Sequence, residues 1–257
     1  MDITLDELRA IAAEKNFDIV ILEKDYLLTK LLYLIKDIKG IYFKGGTALN
    51  KIFLDHKRLS EDLDFTLTRD LNEVEKEIRI MLKGTIFDKI THDKRVEKFV
   101  RLIVHYKLFH EEGTIFLDLN EKADLVSKSE KYKLPHFYKD YIPEYEVTTL
   151  AKNEMIAEKM AAAIGRNRPR DHYDLYNIIK KKLPLDLKLV KKKCEQSGDE
   201  FNITKMFNKA KKLHVRWNED LVQLLSEKTT FQEVMITLSK YFKLKEEKEK
   251  LKDKLKK

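Results

Sequence analysis

FKGGTALNKIFLDHKRLSEDLDFTL, residues 43–67, joins two strand-like runs through a glycine pair and a helical segment. The apolar run Ile41 to Phe43 stops at Gly45-Gly46, and a helix is expected to restart at Thr47, with Ala48, Leu49, Ile52 and Phe53 as its buried stripe. LDFTL (63–67) alternates and is rich in β-formers, which predicts a strand. Asp62 and Asp64 are then two apart and share one strand face, while Leu63 and Phe65 turn to the core. Two neighbouring carboxylates repel unless a cation lies between them, and hard oxygen ligands suit Mg²⁺; the other reading is a polar strand face with two solvated acids. The glycine pair allows backbone N–H groups to point outward at a helix start, a cradle for phosphate. Thr47 adds a hydroxyl, and Lys44 and Lys51 add charge. The same pair also suits a plain strand-to-helix turn. No GKT or GKS follows, which excludes a Walker A loop. Ser60, two residues before Asp62, is either a local turn hydroxyl or a neighbour of bound phosphate. In the second case its phosphorylation would place negative charge beside the acids.

Upstream, residues 4–14 have helical spacing and a Thr4/Glu7 capping box, and residues 18–36 form a second amphipathic helix. Downstream, a helix capped by Asp70 is expected over 70–83. FVRLIVHYKLF (99–109) and TIFLDLN (114–120) read as strands joined by a turn at Glu111-Glu112-Gly113. Asp118 sits within an apolar strand, where an acid is costly unless paired, and a metal shared with Asp62 and Asp64 would account for it. It also fits an acid at a strand end that faces water. Residues 121–149, with Pro135 and Pro143, read as an irregular connection. Helices are expected over 150–164, 170–181, 186–197, 201–212, 217–227 and 230–255. This predicts an α+β region over residues 1–145 and an all-α region over 146–257. The strand–helix order does not repeat as in a doubly wound sheet.

The helical region carries EMIAEKMAAAIGRNRPRDHYDLYNI (154–178). Lys159 lies among Met155, Ile156, Met160 and Ala163, and Arg166, Arg168 and Arg170 are followed by Asp171 and Asp174 on one helical face. Arginine and lysine are the side chains for phosphate contact; a helix hairpin held by Arg–Asp pairs is the alternative.

Composition narrows the class. Of 257 residues, 37% are charged and 43% apolar, as in a globular protein, and seven glycines and four prolines favour helix. The net charge is +8; from Lys180 onward 22 basic residues face 12 acidic ones, so that segment carries +10 and residues 1–179 carry −2. A basic helical region suits a polyanionic partner or a solvated surface. One cysteine, Cys194, excludes a disulfide framework, and seven scattered histidines without HxH or HxxxH spacing argue against zinc. No apolar run approaches a membrane span and no secretory signal opens the chain, so a cytoplasmic protein is expected.

FKGGTALNK, RLSEDLDF and EKMAAAIGRNRPRDHYDLY, in that order, resemble the AbiEii/AbiGii group of nucleotidyltransferase toxins, which includes the MenT toxins. EKDYLLTKLL (23–32) resembles that group's N-terminal helix, and the resemblance spans roughly residues 20–180. It implies a DNA-polymerase-β-like nucleotidyltransferase core with a helical C-terminal domain, an NTP donor, Mg²⁺, and a place in a toxin–antitoxin system with a cognate antitoxin or in a phage-abortive system. For MenT-type members it implies the 3′ end of tRNA as acceptor. By motif, Gly45, Gly46 and Thr47 match the first element, Asp62 and Asp64 the metal pair, Lys159 the lysine that handles triphosphate, and Asp174 with Asp171 the last acid. Arg170 and Ser60 fall beside these groups, and Asp118 is the third metal candidate. Transfer onto a protein hydroxyl and a non-catalytic nucleotide- or partner-binding role are the competing functions.

Overall fold

The structure, a computed structural model, describes residues 3–109, 112–121 and 125–255. It divides into two units, Met1–Lys152 and Asn153–Lys257. The elements of the first are α1 (Leu5–Lys15), α2 (Ile19–Ile35), β1 (Ile41–Lys44), α3 (Gly45–Ile52), β2 (Asp62–Leu67), α4 (Leu71–Leu82), β3 (Ile90–Val96), β4 (Phe99–Lys107), β5 (Glu112–Asn120), β6 (Glu130–Lys133) and β7 (Glu146–Thr149). One mixed sheet runs β3-β4-β5-β2-β1-β7-β6. β1 and β2 are antiparallel, whereas β2 pairs parallel with β5 and β1 pairs parallel with β7.

Local signals place the helices. The Thr4 N–H donates to the Glu7 carboxylate at 2.7 Å and the Thr4 hydroxyl accepts from Glu7 N–H, a complete capping box. Asp18 and Asp70 cap α2 and α4 by accepting from the N–H groups two and three residues on. α2 is buried on most of its circumference, including Leu27, Leu28, Leu31 and the acids Glu23 and Asp25. Asp25 is 1% exposed and is compensated by Lys51 Nζ at 2.7 Å, with the Tyr138 hydroxyl donating to its Oδ2 at 3.1 Å. Lys51 Nζ also donates to the Thr29 hydroxyl at 3.1 Å. The expectation that Lys51 adds charge for a phosphate is therefore corrected: it is an interior cation whose partner is on α2.

Three strands escape the alternation argument. β3 (ITHDKRV) is exposed at nearly every position, so no apolar face marks it; β4 pairs with it at the sheet edge, and Glu75 and Arg79 of α4 bond to His92, Arg95 and the Ile90 carbonyl. β6 and β7 lie within the stretch expected to be irregular. Each has four residues, and their order comes from pairing with each other and with β1, whose sequence partner lies a hundred residues away. α3 begins at Gly45, two residues earlier than expected. The turn expected at Glu111-Glu112-Gly113 falls partly outside the described residues; Glu112 and Gly113 already belong to β5.

His56, in the loop after α3, is buried and lies against Phe137. Desolvation, then the Lys51 charge, pushes its imidazole down to about 4, against the weaker pull of Asp25 and Asp55. Between pH 4 and 6.5 the unfolded chain therefore binds a proton that the folded chain does not, and stability falls as the pH drops through that window. The expected slope is ~1.4 kcal/mol per pH unit for one proton. His56→Asn, which tolerates the left-handed backbone there (φ 52°), should flatten it. Thermal melts followed by circular dichroism at pH 7 and pH 5 test this; equal pH dependence in both proteins would contradict it.

Among the described residues the second unit contains only helical elements. These are α5 (Lys152–Gly165, whose first residue belongs to the first unit), α6 (Pro169–Lys180), α7 (Leu187–Gln196), α8 (Ala210–Asp220), α9 (Phe231–Tyr241) and α10 (Leu244–Leu255), with 3-10 turns at Ile203–Phe207 and Val222–Leu224. The expected helices over 201–212 and 217–227 are corrected to a 3-10 turn, α8 and a second 3-10 turn. Asn202 caps the first turn by accepting from Thr204 N–H at 3.0 Å. The expected 230–255 helix breaks at Lys243, whose φ of 47° leaves the right-handed region. Met160, Ile164, Tyr173, Trp217, Val234 and Leu238 are among the residues of this unit's core. Cys194 is buried there, and burial pushes its thiol up, which suits a packed residue rather than a nucleophile.

Candidate active site

Residues opposite one another on neighbouring strands point to the same face. Register places Lys44 opposite Asp64, Asp64 opposite Asp118, Asp118 opposite Arg101, and Arg101 opposite Lys94. Five strands thus carry one row in the order cation, acid, acid, cation, cation. Asp62 lies two residues before Asp64, and both are half-buried, whereas Leu63 and Phe65 are buried on the other face. The expected acidic pair on an amphipathic strand is what β2 presents.

The glycine turn packs directly against this row. Gly45 has φ +77°, and a Cβ there would fall 2.0 Å from Asp64 Oδ2. Only a residue without a side chain lets the Asp64 carboxylate rest on the first turn of α3. Lys44, the N-cap residue, makes no side-chain hydrogen bond to that turn. The Gly46 carbonyl accepts from Asn50 Nδ2 at 3.1 Å. Gly45→Ala should cost about 1–3 kcal/mol through strain and should displace Asp64. A melting temperature equal to that of the parent would show that the contact tolerates a methyl group.

Thr47 and Ser60 have structural partners. The Thr47 hydroxyl donates to the Asp62 carbonyl at 2.5 Å and so ties α3 to the start of β2. The Ser60 hydroxyl is buried and accepts from Arg58 Nη1 at 2.9 Å; the same nitrogen donates to the Leu59 carbonyl. Asp118 receives both prongs of Arg101, Nε to Oδ1 at 2.7 Å and Nη2 to Oδ2 at 2.8 Å. Among the described residues, no three His, Cys, Asp or Glu side chains converge as a finished metal cage. The donor chemistry nevertheless fits a hard divalent ion: two carboxylates on one face of one strand and a third in register beside them.

In the second unit, Lys159 is 6% exposed and reaches Asp171 Oδ1 and Asp174 Oδ2, each at 3.0 Å. Arg166 adds a two-pronged contact to Asp171, Nε to Oδ2 at 2.7 Å and Nη2 to Oδ1 at 2.8 Å. Burial would raise the Asp171 carboxyl, but the Lys159 charge and the Arg166 hydrogen bonds and charge hold it well below the usual carboxylate range. Arg170 Nε donates to the Asp220 carbonyl at 2.8 Å. Both ring nitrogens of His172 meet backbone carbonyls, of Arg168 and Met206, which places it as a structural residue. Sequence reasoning missed Arg101 and Asp25. Arg101 occupies the same alternation phase as the exposed side of β4, the one available signal; Asp25 looked like any charged helix position.

The family description "Nucleotidyl transferase AbiEii toxin, Type IV TA system" matches residues 26–237. No curated protein sequence matches the chain. Among solved structures, the nucleotidyltransferase toxin MenT4 of Mycobacterium tuberculosis is 24% identical, with 75% of this chain and 69% of that one covered and a TM-score of 0.58. JHP933 of Helicobacter pylori is 20% identical, with 93% and 98% covered and a TM-score of 0.60. A putative nucleotidyltransferase of H. pylori is also 20% identical, with 91% and 97% covered and a TM-score of 0.59. These likenesses show a shared fold, and the family match spans most of the chain. No helix among the described residues is long and apolar enough to cross a membrane. The glycine turn, the paired acids of β2 and the Lys159–Asp174 motif thus lie in a nucleotidyltransferase, and the chain belongs to the AbiEii toxin family.

Proposed function

We propose that the protein transfers a nucleoside monophosphate from an NTP to an RNA 3′ end such as that of tRNA, as a toxin checked by a cognate antitoxin. The observation that carries this reading is the Asp64 carboxylate lying on Gly45 at the start of α3. That contact sets acids and backbone N–H donors side by side, the two requirements of phosphoryl transfer. Asp62 and Asp64, with Asp118, would hold a divalent ion such as Mg²⁺, which when bound supplies charge neutralisation on the phosphates. The N–H groups of Gly46 and Thr47 donate to phosphate oxygens, and the Thr47–Asp62 bond fixes their distance from the acids. Ser60 and Arg58 set the approach to β2. By the motif match, Lys159 is assigned to the triphosphate, with Asp171, Asp174 and Arg170 as the residues that order its surroundings. The exposed lysines of α10, among them Lys245, Lys248 and Lys250, suit an RNA backbone.

Incubation with each α-labelled NTP, total RNA and total protein tests the reading. Label on RNA, removable with the 3′-terminal nucleotide, is the expected result. Label on protein alone would replace the RNA acceptor with a protein hydroxyl. No label from any NTP would remove transfer altogether.

A further inference from the structure

Asp118 cannot serve two masters. Its two oxygens receive the two prongs of Arg101 in near-ideal charge-assisted geometry, at 2.7 and 2.8 Å. Arg101 has two further neighbours. Its guanidinium lies over the Phe116 ring at 5.1 Å, and Nη1 stands 3.9 Å from Asp93 Oδ2. Phe116 is the register partner of Asp62, so the cation lies along the face that carries all three acids. Asp118, desolvation, Asp93 and Asp62 all act on the Arg101 charge, which Asp118 dominates. The Arg101 side chain is 38% exposed, open enough to move.

We propose that Arg101 is a positioning residue that keeps Asp118 out of the divalent ion's ligand set in the resting enzyme. The resident guanidinium neutralises the third acid, so the acid row does not capture an ion through three carboxylates. Ion binding then rests on Asp62 and Asp64 until Arg101 lets Asp118 go. This inference rests on the reading of those acids as a metal site.

The test is Mn²⁺ binding to the full chain without nucleotide, followed by electron paramagnetic resonance of free Mn²⁺. Four proteins are compared: the parent, Arg101→Met, Asp118→Asn and the double variant. Asp118→Asn should bind Mn²⁺ about as the parent does, because Asp118 is not yet a ligand. Arg101→Met should bind roughly tenfold more tightly, because a third hard oxygen ligand is then free to reach the ion. The double variant should return to the Asp118→Asn level. Unchanged affinity in Arg101→Met would overturn the proposal. So would tightening that persists in the double variant, since that is a bare charge effect. Asp62→Ala serves as the separate check: if it leaves Mn²⁺ binding intact, the metal-site reading fails rather than the role of Arg101.

Discussion

Asp62→Ala and Asp64→Ala are each expected to lose nucleotide transfer by about a hundredfold or more, beyond what loss of a mere outer partner does to a metal site. Neither should lower the melting temperature appreciably. Both side chains are half-buried on the outer face of β2, whereas Leu63 and Phe65 on the opposite face hold the strand in the core. Asp→Asn variants at the same positions keep the volume and remove the charge, so they separate ligation from packing. Initial rates with labelled NTP, set beside thermal melts, measure both quantities. A variant with near-parental transfer would remove that acid from the chemistry.

Lys159→Ala is expected to weaken the helical unit by about 3–5 kcal/mol, the cost of stranding buried charge. Asp171 and Asp174 are both 0% exposed, and Lys159 reaches each of them at 3.0 Å. Arg166 remains on Asp171 and offsets part of the loss. Trp217, the single tryptophan, lies in the core of this unit and reports its unfolding. Urea denaturation followed by tryptophan fluorescence should therefore show an earlier midpoint. A midpoint equal to the parent's would mean that the pairing contributes nothing. Transfer by this variant is measured without urea, at a temperature where the fluorescence reports a folded unit.

The fold was most legible where local chemistry and burial agree. The Thr4–Glu7 box, the Asp18 and Asp70 caps and the alternation of β2, β4 and β5 each leave a short-range mark. β3, β6 and β7 leave none: β3 and β6 are edge strands with charged faces, and β7 is four residues long and held between β6 and the distant β1. In the site, residue spacing was enough to pair Asp62 with Asp64 and to single out the glycine turn. It could not show which cations are interior. Lys51 and Lys159 both read as charge available to a phosphate, and the structure adds a buried carboxylate beside each. Sequence spacing reports which residues share a face of one element; it is silent on a partner brought in by another.

The strand order has a consequence for synthesis. β1 and β2, which carry the glycine turn and the acids, are complete once residue 67 has left the ribosome, but the other edge of β1 is closed only by β7, Glu146–Thr149. Tyr138, which bonds the buried Asp25, arrives in the same late stretch. A nascent chain therefore spends about eighty residues of translation, several seconds at ordinary rates, with an open edge beside its glycine turn. Chains arrested before residue 146 present that edge to one another and should aggregate. The sheet that carries the acids is thus closed only as the chain reaches the helical unit.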